Sequence, residues 1–110
     1  MTSQGTTDQG MSVVLLELVC HSDDEEMLIA AVRAADIEAP IDVQHLDVYP
    51  LDLSGGSIRE RITGRLPRRL LRVVVKLDHG NALLERLADI HLQHSVRWSR
   101  AGIDDTGEIS

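Results

Sequence analysis

The run Ser-Val-Val-Leu-Leu-Glu-Leu-Val-Cys at residues 12–20 constrains the fold more than any other part of the chain. Its β-branched and apolar composition predicts a strand. Side chains alternate across a strand, so Val14, Leu16, Leu18 and Cys20 share one face, and Val13, Leu15, Glu17 and Val19 share the other. Both faces are mostly apolar. Such a strand belongs in the middle of a sheet, covered on both sides.

The following residues supply the cover. Ser22-Asp-Asp-Glu25 reads as a capping box, with the Ser22 hydroxyl taking a backbone N–H and Glu25 reaching back. Its acidic first turn suits the positive end of a helix dipole. Leu28, Ala31, Val32 and Ala35 then follow the spacing of one buried helical stripe, and Ala39-Pro40 marks the helix end. Residues 41–51 predict a second strand with weaker alternation, in which Pro50 suits an edge or an exit. Residues 68–77 predict a third strand, with Leu71, Val73, Val75 and Leu77 on one face and Leu70, Arg72, Val74 and Lys76 on the other. A second helix is expected to start at Gly80 and Asn81 and to turn Leu83, Leu84, Leu87, Ala88 and Ile90 inward. Residues 94–101 predict a fourth strand, after which Ile103 and Ile109 could pair or pack at an edge. Residues 1–11 hold little to bury and are expected to form a disordered tail.

The order is β-α-β-β-α-β. Right-handed crossovers make this an α+β, ferredoxin-like domain over residues 12–110. It has a four-stranded antiparallel sheet, both helices on one face and a long loop between strands two and three. The opposite face would carry Val13, Leu15, Val19, Leu70 and Val74, with Glu17 placed to meet Arg72 or Lys76. That is too much apolar surface to leave in water, so it is expected to be buried between subunits.

The long loop is the chain's basic patch. Net charge is −7, yet Arg59, Arg61, Arg65, Arg68, Arg69 and Arg72 gather in this excursion or just after it. A long loop in a small domain is usually functional. Ser57-Ile-Arg-Glu60 is another capping box and predicts a short helical turn over residues 58–63, ended by Gly64. Gly55 and Gly56 let backbone approach a ligand, and Ser57 opens a turn whose N–H groups favour an anion. Arg59, Arg65, Arg68 and Arg69 could add paired contacts to phosphate or carboxylate. These seven residues are the candidate ligand-binding set. The competing reading is a solvated loop whose arginines pair with Asp52, Glu60 and the acidic surface of a neighbouring subunit. Gly-Gly-Ser by itself is no phosphate-loop signature.

Composition excludes several classes. The acidic balance argues against general affinity for nucleic acid or anionic membrane. RNA-recognition modules of this topology stack bases on aromatic residues, but aromatic content is 2% and Tyr49 and Trp98 fall on outer strands. Trp98 reads instead as an interface or core anchor. One cysteine excludes an internal disulfide and fits a reducing compartment. No basic segment leads into an apolar run at the N-terminus and no stretch is long enough to span a bilayer, so a cytoplasmic location is expected.

The chain resembles the PII-like superfamily of trimeric signalling proteins, and within it a family of short uncharacterised proteobacterial PII-like proteins. The resemblance rests on Leu16-Glu-Leu-Val-Cys20 before an acidic helix start, Ser57-Ile-Arg-Glu-Arg-Ile-Thr-Gly64, Arg97-Trp98 and Gly107-Glu-Ile109, and covers nearly all of the chain after residue 11. It implies a trimer whose sheets face a central axis and ligand pockets in the clefts between subunits. Residues 51–67 would be the partner-contacting T-loop. It further implies regulation of a membrane transporter, with relatives associated with heavy-metal efflux. One feature departs from it. Nucleotide-binding PII proteins carry a Gly- and Lys-rich loop before the last strand, where this chain has Leu92-Gln-His-Ser95.

The reading is therefore a non-enzymatic, homotrimeric PII-like regulator. It would bind a small anionic effector and contact a partner, such as a transporter or metal-efflux system, through its arginine-rich loop. A second reading is a copper-, zinc- or cobalt-binding protein of the divalent-cation-tolerance type. Its candidates are Cys20, His21 and His45, since thiolate and imidazole suit transition metals. His79, His91 and His94 are scattered, no pair has the spacing of a known site, and Cys20 also reads as a core residue. A third is a small hydrolase. Acyl-phosphate-cleaving enzymes of this topology hold phosphate with an arginine after strand one, where this chain has His-Ser-Asp-Asp-Glu-Glu. No catalytic residue is assigned. The ligand class stays open between a nucleotide, a small anion and a divalent metal ion.

Overall fold

The computed structural model describes residues 12–52 and 56–109; the expected tail and Gly55 lie outside the described residues. The elements run β1 (Val13–Cys20), a single 3₁₀ turn (Ser22–Asp24), α1 (Glu25–Ala34), β2 (Asp42–Val48), α2 (Ile58–Thr63), β3 (Leu66–Lys76), α3 (Leu77–Ala88) and β4 (Arg97–Ile103). The strands form one sheet in the order β2-β3-β1-β4, antiparallel throughout. This is the ferredoxin-like arrangement, with α2 added inside the loop between β2 and β3.

β1 is central, hydrogen-bonded to β3 on one side and β4 on the other. Its Val14, Leu16, Leu18 and Cys20 are buried, as are Leu71, Val73 and Val75 of β3. Leu28, Ala31 and Val32 of α1 and Leu83 of α3 are buried too, and the helices cover this face. The core is aliphatic, as a chain without Phe requires.

Several boundaries differ from the sequence expectation. Ser22 does not cap a helix. His21 holds the cap position, its Nδ1 accepting from Asp23 N at 3.1 Å, while Glu25 accepts from Arg69 Nε at 2.9 Å. α1 ends at Ala34 instead of running to Ala39-Pro40, because Asp36 takes a left-handed backbone (φ 58°) that stops the helix. Arg33 then donates to the Ile37 and Ala39 carbonyls, fixing the exit toward β2. α3 begins at Leu77, directly after β3, where Leu77 N donates to Ser12 O at 2.9 Å. Gly80 is therefore inside the helix. A Cβ there would meet Val75 Cγ2 at 3.3 Å and Val14 Cγ2 at 3.6 Å, so this glycine lets α3 lie close on the sheet. Ala88, expected inward, is exposed. β3 starts at Leu66, and its Pro67 pairs with Asp47 of β2 beyond the reach of β1, where a missing N–H costs no ladder bond. β4 is displaced to Arg97–Ile103, and Ile103 pairs with Val13 as an edge residue could.

The face away from the helices carries Val13, Leu15, Val19, Leu70 and Val74, each only partly covered by its own chain. Glu17 and Arg72 sit opposite one another at its centre, with Arg72 Nε 3.1 Å from Glu17 Oε2.

Leu16 is fully buried beneath both helices' side of the sheet, so Leu16→Ala should destabilise the domain by about 2–5 kcal/mol. Equilibrium denaturation in urea measures this.

Candidate functional site

The loop helix forms as its sequence dictates. Ser57 Oγ accepts from Glu60 N at 3.1 Å, and Ser57 N donates to Glu60 Oε1 at 2.9 Å, completing the capping box. Gly64 closes the helix in the left-handed region at φ 77°, with its N–H on Glu60 O. Thr63 Oγ1 donates to Glu60 O at 3.2 Å and lies 3.4 Å from Arg65 O, tying the helix to the start of β3.

His21, Asp47, Ser57, Arg59, Glu60, Thr63, Arg65 and Pro67 line a cleft of about 390 Å³ at the base of this loop. The candidate arginines divide into two groups. Arg68 is held by Glu60 at 3.0 Å and also donates to Pro67 O, and Arg69 is held by Glu25 at 2.9 Å. These two brace the loop and the α1 start against β3. Arg59 and Arg65 line the cleft itself. Arg65 lies 3.5 Å from Asp47, both side chains about half exposed (50% and 47%). Arg59 is exposed and makes no ion pair among the described residues. Gly56 precedes Ser57 and is partly covered. Ser57 N and Glu60 N, two of the donors that an anion could have used, are taken by the capping box.

The metal candidates separate. Cys20 is 1% exposed, and burial, with the nearby Glu25 and Asp24 charges, pushes its thiol up to about 11. His45 stands exposed on the edge strand β2, opposite Arg69. His21 instead joins Asp23 and His94, whose ligand atoms all lie within 4.8 Å of one another. Asp23 and His94 were not among the sequence candidates. Strand pairing carries the missing signal: β1 and β4 run antiparallel with Val19 opposite Arg97, so the residues after β1 and before β4 must adjoin. Asp24 fastens them. It is 1% exposed, and its two carboxylate oxygens accept from Gln93 N at 3.0 Å and His94 N at 3.1 Å.

A second hollow, apolar and about 240 Å³, lies between α3 and β4, lined by Leu84, Leu87, Leu92, Val96 and Trp98 among others. Trp98 is half exposed there, more an edge cover than a core residue.

A βαββαβ sheet with a helix-bearing loop between β2 and β3 defines a PII-like fold. The chain belongs to DUF3240, a family of proteins of unknown function, which it matches over residues 11–110. Solved structures agree on the architecture. A DUF3240 family protein from Shewanella baltica is similar with a TM-score of 0.71 at 14% identity, covering 89% of this chain and 97% of that one. CPII, a nitrogen regulatory PII-like protein from Thiomonas intermedia solved with ADP, AMP and bicarbonate, gives 0.66 at 16% identity, again over 89% and 97%. CutA1 from Pyrococcus horikoshii gives 0.65 at 12% identity, over 86% and 87%. No curated protein matches the sequence. Among the described residues no helix is long and apolar enough to cross a membrane.

Two outcomes follow from the titrating groups. The Ser57 backbone N–H, followed by Arg68, holds the Glu60 carboxyl below its usual range. A depressed carboxyl stabilises the loop helix above the ordinary glutamate pKa and loses that contribution as pH falls through its folded value. Amide exchange at Ser57 and Glu60 should therefore accelerate below pH ~4 beyond its intrinsic dependence. Cys20 should resist thiol reagents at pH 8 in the folded protein and react promptly in denaturant. Its contribution to stability is level below pH 9.0 and declines as pH rises from there to about 11.

Proposed function

We propose that the protein is a non-enzymatic, homotrimeric PII-like regulator that binds a small anion in the cleft beneath the loop and contacts a partner through the loop itself. The observation that carries this reading is the division of the arginines. Arg68 and Arg69 are clamped by carboxylates, while Arg59 and Arg65 line the cleft with at most an exposed pairing. An exposed ion pair contributes about 0–1 kcal/mol, so an incoming carboxylate or bicarbonate-like anion could displace Asp47 from Arg65. CPII, solved with bicarbonate as well as nucleotides, is consistent with an effector of that size. Nucleotide phosphates have less to hold them in the connection before β4: Gln93 N and His94 N are occupied by Asp24, and that stretch lacks Gly and Lys.

Support for the partner comes from α2. Ile58 and Ile62 sit one turn apart, 73% and 80% exposed, beside Arg59 and Arg61. An apolar stripe flanked by guanidiniums suits an acidic protein surface with a hydrophobic centre. The cytoplasmic part of a membrane transporter is the partner class that the PII resemblance implies. Effector binding at Arg59 and Arg65 would order the loop and so control that contact. The half-covered Val13, Leu15, Val19, Leu70 and Val74 support assembly through the sheet. The hydrolase reading gains nothing from the cleft, since among the described residues no hydrogen bond joins Ser57 to a histidine.

Arg59→Ala with Arg65→Ala should weaken bicarbonate binding about tenfold or more in calorimetry, from the loss of charge-assisted hydrogen bonds, without changing sedimentation. Unchanged affinity removes the cleft from consideration, and tight ATP or ADP binding with no response to bicarbonate reassigns the ligand class. The wild-type chain should sediment as a trimer at micromolar concentration and Val74→Glu as a single chain; a monomeric wild type rejects the assembly.

A further inference from the structure

We propose that His21, Asp23 and His94 form a binding site for a divalent transition-metal ion. Nothing in this inference depends on the anion cleft. The three side chains come from the two segments that the sheet brings together, the turn after β1 and the connection before β4. Asp23 Oδ2 lies 3.3 Å from His21 Nδ1 and 3.5 Å from His94 Nε2. A tetrahedral zinc ion held at about 2.0–2.1 Å keeps its ligand atoms roughly 3.4 Å apart. Two edges of the cluster already have that length. The third, between the two imidazole nitrogens, is within 4.8 Å and closes when one exposed imidazole reorients.

The local electrostatics point the same way. His21 Nδ1 accepts the Asp23 N–H at 3.1 Å, and the lone pair that takes this bond is the kind a metal ion uses. The Asp23 carboxylate, beside it, is another lone-pair group. Two acceptors facing each other repel, and a cation between them turns that opposition into coordination. The ion would take over the lone pair that the Asp23 N–H now uses, and that exposed N–H would turn to water. The imidazole rings are stacked, with centroids 4.0 Å apart and planes 17° from parallel, so one of the two exposed side chains must turn out of the stack to bring both in-plane lone pairs onto a common ion.

The cluster is also supported from beneath. The Asp24 carboxylate bonds the backbone N–H of His94 and of its neighbour Gln93, so the two segments cannot separate without stranding a buried charge. This fixes the backbone that carries the ligands, which a chance encounter of surface side chains lacks. Two imidazoles and one carboxylate, open to solvent on the remaining side, suit zinc, cobalt(II), nickel or copper(II), and not calcium or magnesium. Water or an anion completes the coordination. Because His21 also lines the loop cleft, the ion would stand at its wall.

The test uses the full, reduced chain after chelator treatment and desalting. Calorimetric titration with zinc should show one ion per chain, and cobalt(II) should develop the visible absorption of a tetrahedral site. His21→Ala and His94→Ala should each weaken zinc by tenfold to a hundredfold or more, since even residues behind the ligands have effects of about that size. His45→Ala and the Arg59→Ala, Arg65→Ala double variant should bind zinc like the parent, which separates this site from the anion cleft. In the unaltered protein, zinc should shift the imidazole resonances of His21 and His94 and leave those of His45 and His79 in place; this readout needs no variant to fold. Absence of zinc heat and of a cobalt spectrum from the parent chain overturns the proposal. So does full affinity in His94→Ala, or zinc-induced shifts centred on other histidines.

Discussion

The packing of β1 between α1, α3 and its two neighbouring strands is the constraint on which the rest of the molecule depends. Leu16, Leu18 and Cys20 are essentially sealed from solvent, as are Leu28 and Leu83 opposite them. Burying each of these leucines contributes about 1.5–3 kcal/mol before entropy is counted, and in a chain without Phe the core rests on such aliphatic groups. Once β1 is central, the positions of both its ends are determined. One end delivers His21, Asp23 and Asp24 to the segment that leads into β4. The other receives Leu77 N on Ser12 O, where α3 departs.

Charge then does locally what apolar burial does globally. Asp24 ties a loop to a turn, Glu25 ties the start of α1 to β3 through Arg69, and Glu60 ties the loop helix to the same strand through Arg68. Arg59 and Arg65, which line the cleft, have no such fastening role. The geometry thus separates arginines that build the loop from arginines that could act in it.

Much of this was legible in the sequence, and the exceptions have physical causes. The period-two alternation of residues 13–20 and 70–76 placed β1 and β3, and Ser57, Glu60 and Gly64 placed α2 to the residue, because a capping box and a left-handed glycine are local signals. The Ser22 box failed although its spacing was the same. There Glu25 found a better partner in Arg69, distant in sequence, and His21 took the cap. Gly80 was misread as a helix start because a glycine that relieves crowding against Val14 and Val75 looks the same in sequence as one that opens a turn. The His21, Asp23 and His94 cluster was hidden for the opposite reason. Its spacing along the chain means nothing; only the antiparallel register of β1 and β4 makes those residues neighbours.

The Glu17–Arg72 pair, set among Val13, Leu15, Val19, Leu70 and Val74 on the sheet face away from the helices, has a consequence for how copies can associate. An oily surface alone tolerates sliding and accepts any similarly greasy neighbour. Two opposite charges at a fixed point do not, because the surface laid over the pair must offer polar partners to the hydrogen-bonding atoms that each ion leaves unused. In the proposed assembly this pair would favour the one alignment of copies that supplies those partners.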